Sequence, residues 1–144
     1  MPEPRMHAPF FGELVFDPLV NCWEGRGSFS NAGLIRVGLD SGDLTVEAFL
    51  PAARLAFEKL ERTEPQHRED AAMKLLPIRN GYWRLDGEPL LDVPAFLSRM
   101  TLETIRIRVT GADLYYDDGD LFAGHTIYID IDEEGRVFQA SFEG

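Results

Sequence analysis

Leu114-Tyr115-Tyr116-Asp117-Asp118-Gly119-Asp120-Leu121-Phe122-Ala123-Gly124-His125-Thr126-Ile127 is the stretch on which the reading of the whole chain turns. Strand-like runs flank an Asp-Gly connection, and Asp-Gly tolerates the positive φ values that turns between antiparallel strands demand. The pattern predicts a hairpin whose loop displays carboxylates, a ring and an imidazole from a rigid platform.

Working outward, the same period of two continues on both sides. Downstream, Ile127, Ile129 and Ile131 alternate with Thr126, Tyr128 and Asp130, and Asp132-Glu133-Glu134-Gly135 closes the next hairpin. Val137 to Phe142 then reads as the last strand, with Phe138, Ala140 and Phe142 inward. Upstream, Ile105, Ile107 and Val109 share one face while Thr104, Arg106 and Arg108 share the other, and Thr110-Gly111-Ala112-Asp113 is the turn. Together these segments predict a four-stranded C-terminal meander.

Near the other end, Phe10 to Phe16, Cys22 to Phe29 and Leu34 to Asp40 predict a second meander of three strands. Asp17-Pro18 ends the first, because proline has no donor for a ladder. Gly25 and Gly27 mark the second as a bulge or an edge, and Ser30-Asn31-Ala32-Gly33 supplies the turn before the third. Residues 1–9, with three prolines, read as a flexible lead-in to a single domain over 10–144.

Three helices are predicted between the meanders. Ser41-Gly42-Asp43 offers N-cap chemistry, and Val46, Phe49, Ala53, Phe57 and Leu60 recur at helical spacing over about 44–62, with Pro51 kinking that helix or sitting in its first turn. Thr63-Glu64-Pro65-Gln66 has the form of a capping box and starts a second helix, which buries Ala71, Ala72, Leu75 and Leu76 and stops at Pro77 and Asn80-Gly81. The rings of Tyr82 and Trp83 then cover the edge of the core. Asp92-Val93-Pro94 caps a short third helix bearing Phe96, Leu97 and Met100. No helix separates strands within a meander, so no parallel pairing is expected. The predicted fold is α+β: an antiparallel sheet from two meanders, with three helices on one face.

With 144 residues, 44% of them hydrophobic and 27% charged, the chain has the composition of one ordinary globular domain. The single Cys22 excludes an internal disulfide and reads as a buried small hydrophobe, and the absence of a signal-like or membrane-length apolar run predicts a soluble cytoplasmic protein with no membrane contact. Net charge is −11, and it is local: residues 113–144 hold nine acidic residues against Arg136 alone, while residues 1–112 hold sixteen against thirteen basic ones. Such a surface repels phosphate backbones, which argues against a nucleic-acid partner, and attracts a cation or a basic protein.

The run Y-Y-D-D-G-D-L-F-A-G-H-T-I resembles the closing segment of a bacterial family, domain of unknown function 2262, whose members read Y-x-D-D-G-D-L-F-W-G-H-x-I before an acidic strand. The likeness extends to Trp23-Glu24-Gly25, to Leu75-Leu76 through Trp83, and to the helix near Phe96, and so covers most of the chain. Ala123 stands where the pattern carries tryptophan. The resemblance implies a fold, carries no established activity over to this chain, and leaves its function open.

Two functions compete for the focal stretch. The first is a non-catalytic binding module, similar in composition to immunity proteins, that presents Asp117, Asp118, Asp120, Phe122, His125, Tyr128 and Asp130 to a basic partner. The second is a metal-binding domain or metal-dependent hydrolase, in which Asp118, Asp120 and His125 hold a divalent ion. The spacing fails the calcium-loop pattern, since Gly119 and Leu121 fall where ligands belong. If the protein is an enzyme, His125 is the candidate base, and Cys22, Ser28 or Thr126 would have to supply the nucleophile. A structural alternative for the same residues is a turn whose carboxylates accept local backbone N–H groups, with His125 as a clamp.

Overall fold

The computed structural model describes residues 4–30 and 32–144. Eight strands form one open sheet in sequence order: β1 (Arg5–Ala8), β2 (Gly12–Asp17), β3 (Cys22–Phe29), β4 (Gly33–Asp40), β5 (Thr101–Arg108), β6 (Gly111–Asp117), β7 (Thr126–Asp132) and β8 (Val137–Glu143). Neighbours are antiparallel except β4 and β5, which run parallel with Arg36 opposite Thr104 and Asp40 opposite Arg108. The two meanders are therefore one sheet. They join through a helical crossover, the parallel connection that reading each meander by itself left out.

Two helices fill that crossover: α1 (Val46–Ile78), extended by a single π-helical turn at Arg79–Trp83, and α2 (Val93–Arg99). The separate helices predicted around 44–62 and 63–76 are thus one helix of 33 residues, with Pro51, Pro65 and Pro77 inside it. Each proline removes one intrahelical bond. The helix survives them because its buried stripe is unbroken, running through Phe49, Ala53, Phe57, Leu60, Glu64, His67, Ala71 and Leu75. A break at Pro65 would lift one half of that stripe from the sheet. The supposed capping box accordingly does other work: the Thr63 hydroxyl donates to the Lys59 carbonyl at 3.0 Å, and Glu64 accepts the Arg68 guanidinium at 2.7 Å. The N-cap is Thr45, which accepts from the Ala48 N–H, and not the Ser41-Gly42-Asp43 segment. Asp92 caps α2 as its sequence predicts, with its carboxylate on the Ala95 N–H at 2.9 Å.

Three further expectations change. β1 pairs with β2, so ordered structure begins inside the stretch read as a lead-in, while residues 1–3 and the Asn31 position of the predicted turn lie outside the described residues. β3 is an interior strand, neither bulged nor an edge, and at Gly27 a Cβ would stand 3.1 Å from the Phe57 ring, so the missing side chain is what lets α1 press a phenyl ring onto the sheet. Phe138, expected inward, is 72% exposed: a register shift between Asp130 and Ile131 places Val137 opposite Ile131 and Gln139 opposite Asp130, so Phe138 is the extra, unpaired residue, and it borders an open hollow beside Gln66, Asp70 and Lys74 of α1. A bulged residue has no cross-strand neighbour to pack against, which leaves the ring at the rim of the core.

One face of the sheet packs under the helices and supplies Leu14, Ile35, Val37, Leu39, Ile105, Ile107, Leu114, Ile127 and Ile129 to the core. The opposite face carries the alternate residues, among them Arg26, Arg36, Thr104, Tyr115 and Tyr128. No described helix is long and apolar enough to cross a membrane.

Candidate functional site

The acidic turn between β6 and β7 is built around one buried carboxylate. Asp118 is 1% exposed, and its Oδ1 accepts the Asp120 N–H at 2.9 Å while its Oδ2 accepts the Phe122 N–H at 2.8 Å and the Gly124 N–H at 3.1 Å. An anion that binds successive backbone donors in this way sets the path of the loop. The path is demanding: Gly119, Asp120, Ala123 and Gly124 all have positive φ, at 53°, 64°, 56° and 87°. At Gly119 a Cβ would lie 2.5 Å from the Arg99 carbonyl oxygen, which excludes any side chain there without movement of the backbone.

His125 closes the turn. Its Nδ1 meets the Phe122 carbonyl, and because a carbonyl only accepts, the proton sits on Nδ1. The imidazole lies edge-on to Trp83, with ring centroids 5.1 Å apart, and to Phe142 at 5.8 Å. Beneath it Phe122 is fully buried and stacked on Phe142 at 4.0 Å and 7°. This aromatic group forms without the side chain at position 123, where Ala123 faces solvent. Trp83 covers the core edge as its sequence suggests, whereas its neighbour Tyr82 is 87% exposed.

The residues singled out in sequence therefore separate by role. Asp117 and Asp120 are exposed; Asp118 and Phe122 are inside; His125 is half-buried. Among the described residues no group of three or more His, Cys, Asp or Glu is placed to hold a metal ion, because the oxygens of Asp118 are turned onto backbone N–H groups and Nδ1 of His125 onto a carbonyl. Nor does a hydrogen bond among the described residues join His125 to Cys22, Ser28 or Thr126, and the first two lie on β3, four strands away. Cys22 is buried, and burial pushes its thiol up to about 11, which keeps it from acting as a thiolate.

Tyr128 and Asp130 sit on the uncovered face of the sheet in a charge cluster. Asp113 and Asp130 stand directly opposite each other on β6 and β7, a like-charge pair that Arg108 neutralises with bonds of 2.9 Å to each. Tyr128 donates its hydroxyl to Asp113 at 2.8 Å, and burial together with that carboxylate raises the phenol above its ordinary range. Cross-strand alternation suggests that Arg106 and Arg108 both pair with acids next to Tyr128; Arg108 does, while Arg106 meets Asp40 at 2.8 Å, and the sharing of one guanidinium by two strands is not legible in sequence.

His67 directly follows the polar Thr63-Glu64-Pro65-Gln66 run, whose residue types predict a helix start. In the structure it is buried midway along α1 and borders a cavity of about 160 Å³ with Lys59, Leu60, Thr63, Ile107 and Ile131. Desolvation lowers its pKa, more than Asp70 and Glu64 raise it. The available signal was spacing, since His67 continues the Leu60, Glu64, Ala71 stripe.

The family model for an uncharacterized protein conserved in bacteria, domain of unknown function 2262, matches residues 8–142, so the chain belongs to that family. No curated protein and no solved structure matches it.

Proposed function

We propose that this member of the family is a non-catalytic binding module that presents the carboxylates of its acidic turn and C-terminal strands to a basic protein partner. The observation that supports it is the division of labour in the turn: Asp118 is spent on backbone donors, and this holds the exposed Asp117 and Asp120 on a loop of fixed path. Charges displayed from a rigid loop lose little entropy on binding and steer a partner of opposite sign. A small acidic domain of this kind suits an immunity-type role, in which a basic toxin is bound and neutralised; that part of the proposal rests on charge and size.

Reversal of Asp117 and Asp120 to lysine tests the proposal, because both are exposed and Asp117 gives up only one exposed bond, from the Gly119 N–H, whereas reversing Asp118 or Asp130 would break buried or part-buried bonds. Immobilised wild type should retain a basic protein from a bacterial lysate that elutes with rising salt, and the Asp117→Lys/Asp120→Lys variant, matched in melting temperature, should lose it. Equal retention by wild type and variant would sink the proposal.

A further inference from the structure

The uncovered face of the sheet carries a second charge pattern of opposite sign. Arg26 on β3 is directly opposite Arg36 on β4, Arg36 is opposite Thr104 on β5, Thr104 is opposite Tyr115 on β6, and Tyr115 is opposite Tyr128 on β7. These residues form one row across five strands. The other arginines on this face are matched by carboxylates: Arg5 by Glu13, Arg106 by Asp40 at 2.8 Å, and Arg108 by Asp113 and Asp130. Arg26 and Arg36 are exposed, and among the described residues neither has a carboxylate within ion-pair distance.

Like charges directly opposite each other weaken a sheet. The Asp113–Asp130 pair on the same face shows the internal remedy, a counter-charge held between the two. Among the described residues no such remedy is built for Arg26 and Arg36, which leaves the place between them open for an external anion. They border a depression of about 360 Å³ whose other walls are Glu103, Thr104, Tyr115 and Thr126. Glu13 and Glu24 border the adjoining hollow, and Glu13 is engaged by Arg5.

We propose that Arg26, Arg36, Thr104 and Tyr115 form a binding site for a small phosphorylated molecule that carries a flat ring. Two guanidinium forks match the oxygens of a phosphate group, and the Thr104 hydroxyl adds a donor. Tyr115 lies two strands from Arg36, about 10 Å at the usual strand spacing, comparable to the phosphate-to-base span of a mononucleotide. Its ring is backed by Tyr128, with centroids 5.3 Å apart at 40°, and offers a face on which a flat ring stacks. A nucleic-acid strand does not fit the same pattern, because net charge of −11 repels a polyanion, whereas a single phosphate needs only the local pair.

Calorimetric titration with AMP, inorganic phosphate and adenosine, on wild type, Arg26→Gln/Arg36→Gln, Arg36→Lys and Tyr115→Leu, tests this. The expected result is that AMP binds at least tenfold more tightly than phosphate and that adenosine does not bind. The double variant should lose AMP by more than tenfold without a lower melting temperature of the free protein. Arg36→Lys, which keeps the charge and loses the fork, should fall between the two, and Tyr115→Leu should bring AMP down to the level of phosphate. No binding of AMP by the wild type, or AMP binding unchanged in the double variant, would overturn the assignment. A fall in the unliganded melting temperature of the double variant would overturn it too, since the arginines would then be structural.

Discussion

Replacing Asp118 by alanine should cost about 4 kcal/mol of folding stability. The carboxylate accepts three backbone N–H bonds, and hydrogen bonds to a charged group contribute about 1.5–3 kcal/mol each. They will not be lost equally. The Phe122 N–H is buried and would be left without a partner, at a cost of roughly 2–3 kcal/mol, whereas the Asp120 and Gly124 N–H groups are part-buried and regain water, losing about 1 kcal/mol or less apiece. Against a total stability of about 5–15 kcal/mol the variant should still fold, with a melting temperature lower by roughly 10–15 °C. Urea unfolding followed by far-ultraviolet circular dichroism gives the free energy, and Trp83 fluorescence reports the turn, since that ring packs against Phe122 and His125. Asp117→Ala is the control: its carboxylate accepts a single exposed N–H, from Gly119 at 3.2 Å, and its removal should cost less than about 1 kcal/mol. If Asp118→Ala costs no more than Asp117→Ala, the turn is not held by this carboxylate and the argument for a pre-set loop fails.

Three other outcomes follow from the same geometry. Ala123→Gly should stabilise the protein by about 0.5–1 kcal/mol, because Ala123 holds φ 56° at an exposed position where glycine pays no steric penalty; a destabilisation in thermal or urea unfolding would contradict this. Arg108→Leu should cost about 2–4 kcal/mol by exposing Asp113 and Asp130 to each other, and adding Asp130→Asn should recover part of the loss, a coupling that a double-mutant cycle measures directly. The third concerns pH. The pKa of His67 is lowered in the folded state, so the unfolded chain binds the proton more readily. Its neutral form stabilises the fold fully above the unfolded value of 6.5, and that stability falls as pH drops below 6.5 toward the folded pKa. His67→Gln should flatten this part of the stability profile, and an unchanged slope between wild type and variant would count against it.

Much of the secondary structure was legible because alternation is a local property. Ile105 and Ile107, and Ile127, Ile129 and Ile131, are buried as their period of two requires, and the Asp-Gly turn between β6 and β7 stands where the residue types place it. The proline-bearing middle was misread for a physical reason. Pro65 behind Thr63 carries the signal of a helix start, and only burial of the continuous stripe against the sheet outweighs it. Phe138 illustrates the same limit, since a bulge takes a residue out of cross-strand pairing and leaves no mark in the alternation itself.

The chemistry of the site divides along that line. The sequence by itself determined that acid, glycine, ring and imidazole would meet in one turn, because a hairpin joins neighbours in the chain. Which of the carboxylates would be buried depended on where backbone N–H groups came to point, and those directions belong to the folded loop: Asp118 went inside, Asp117 and Asp120 stayed out. Contacts between distant segments were decided by tertiary structure alone. Trp83 reaches His125 across 42 positions, and Arg36 meets Thr104 only because the helical crossover returns the chain parallel to β4. Parallel pairing joins segments too far apart in sequence for local residue patterns to register, so the row of Arg26, Arg36, Thr104 and Tyr115 exists in the sheet and nowhere in the order of the residues.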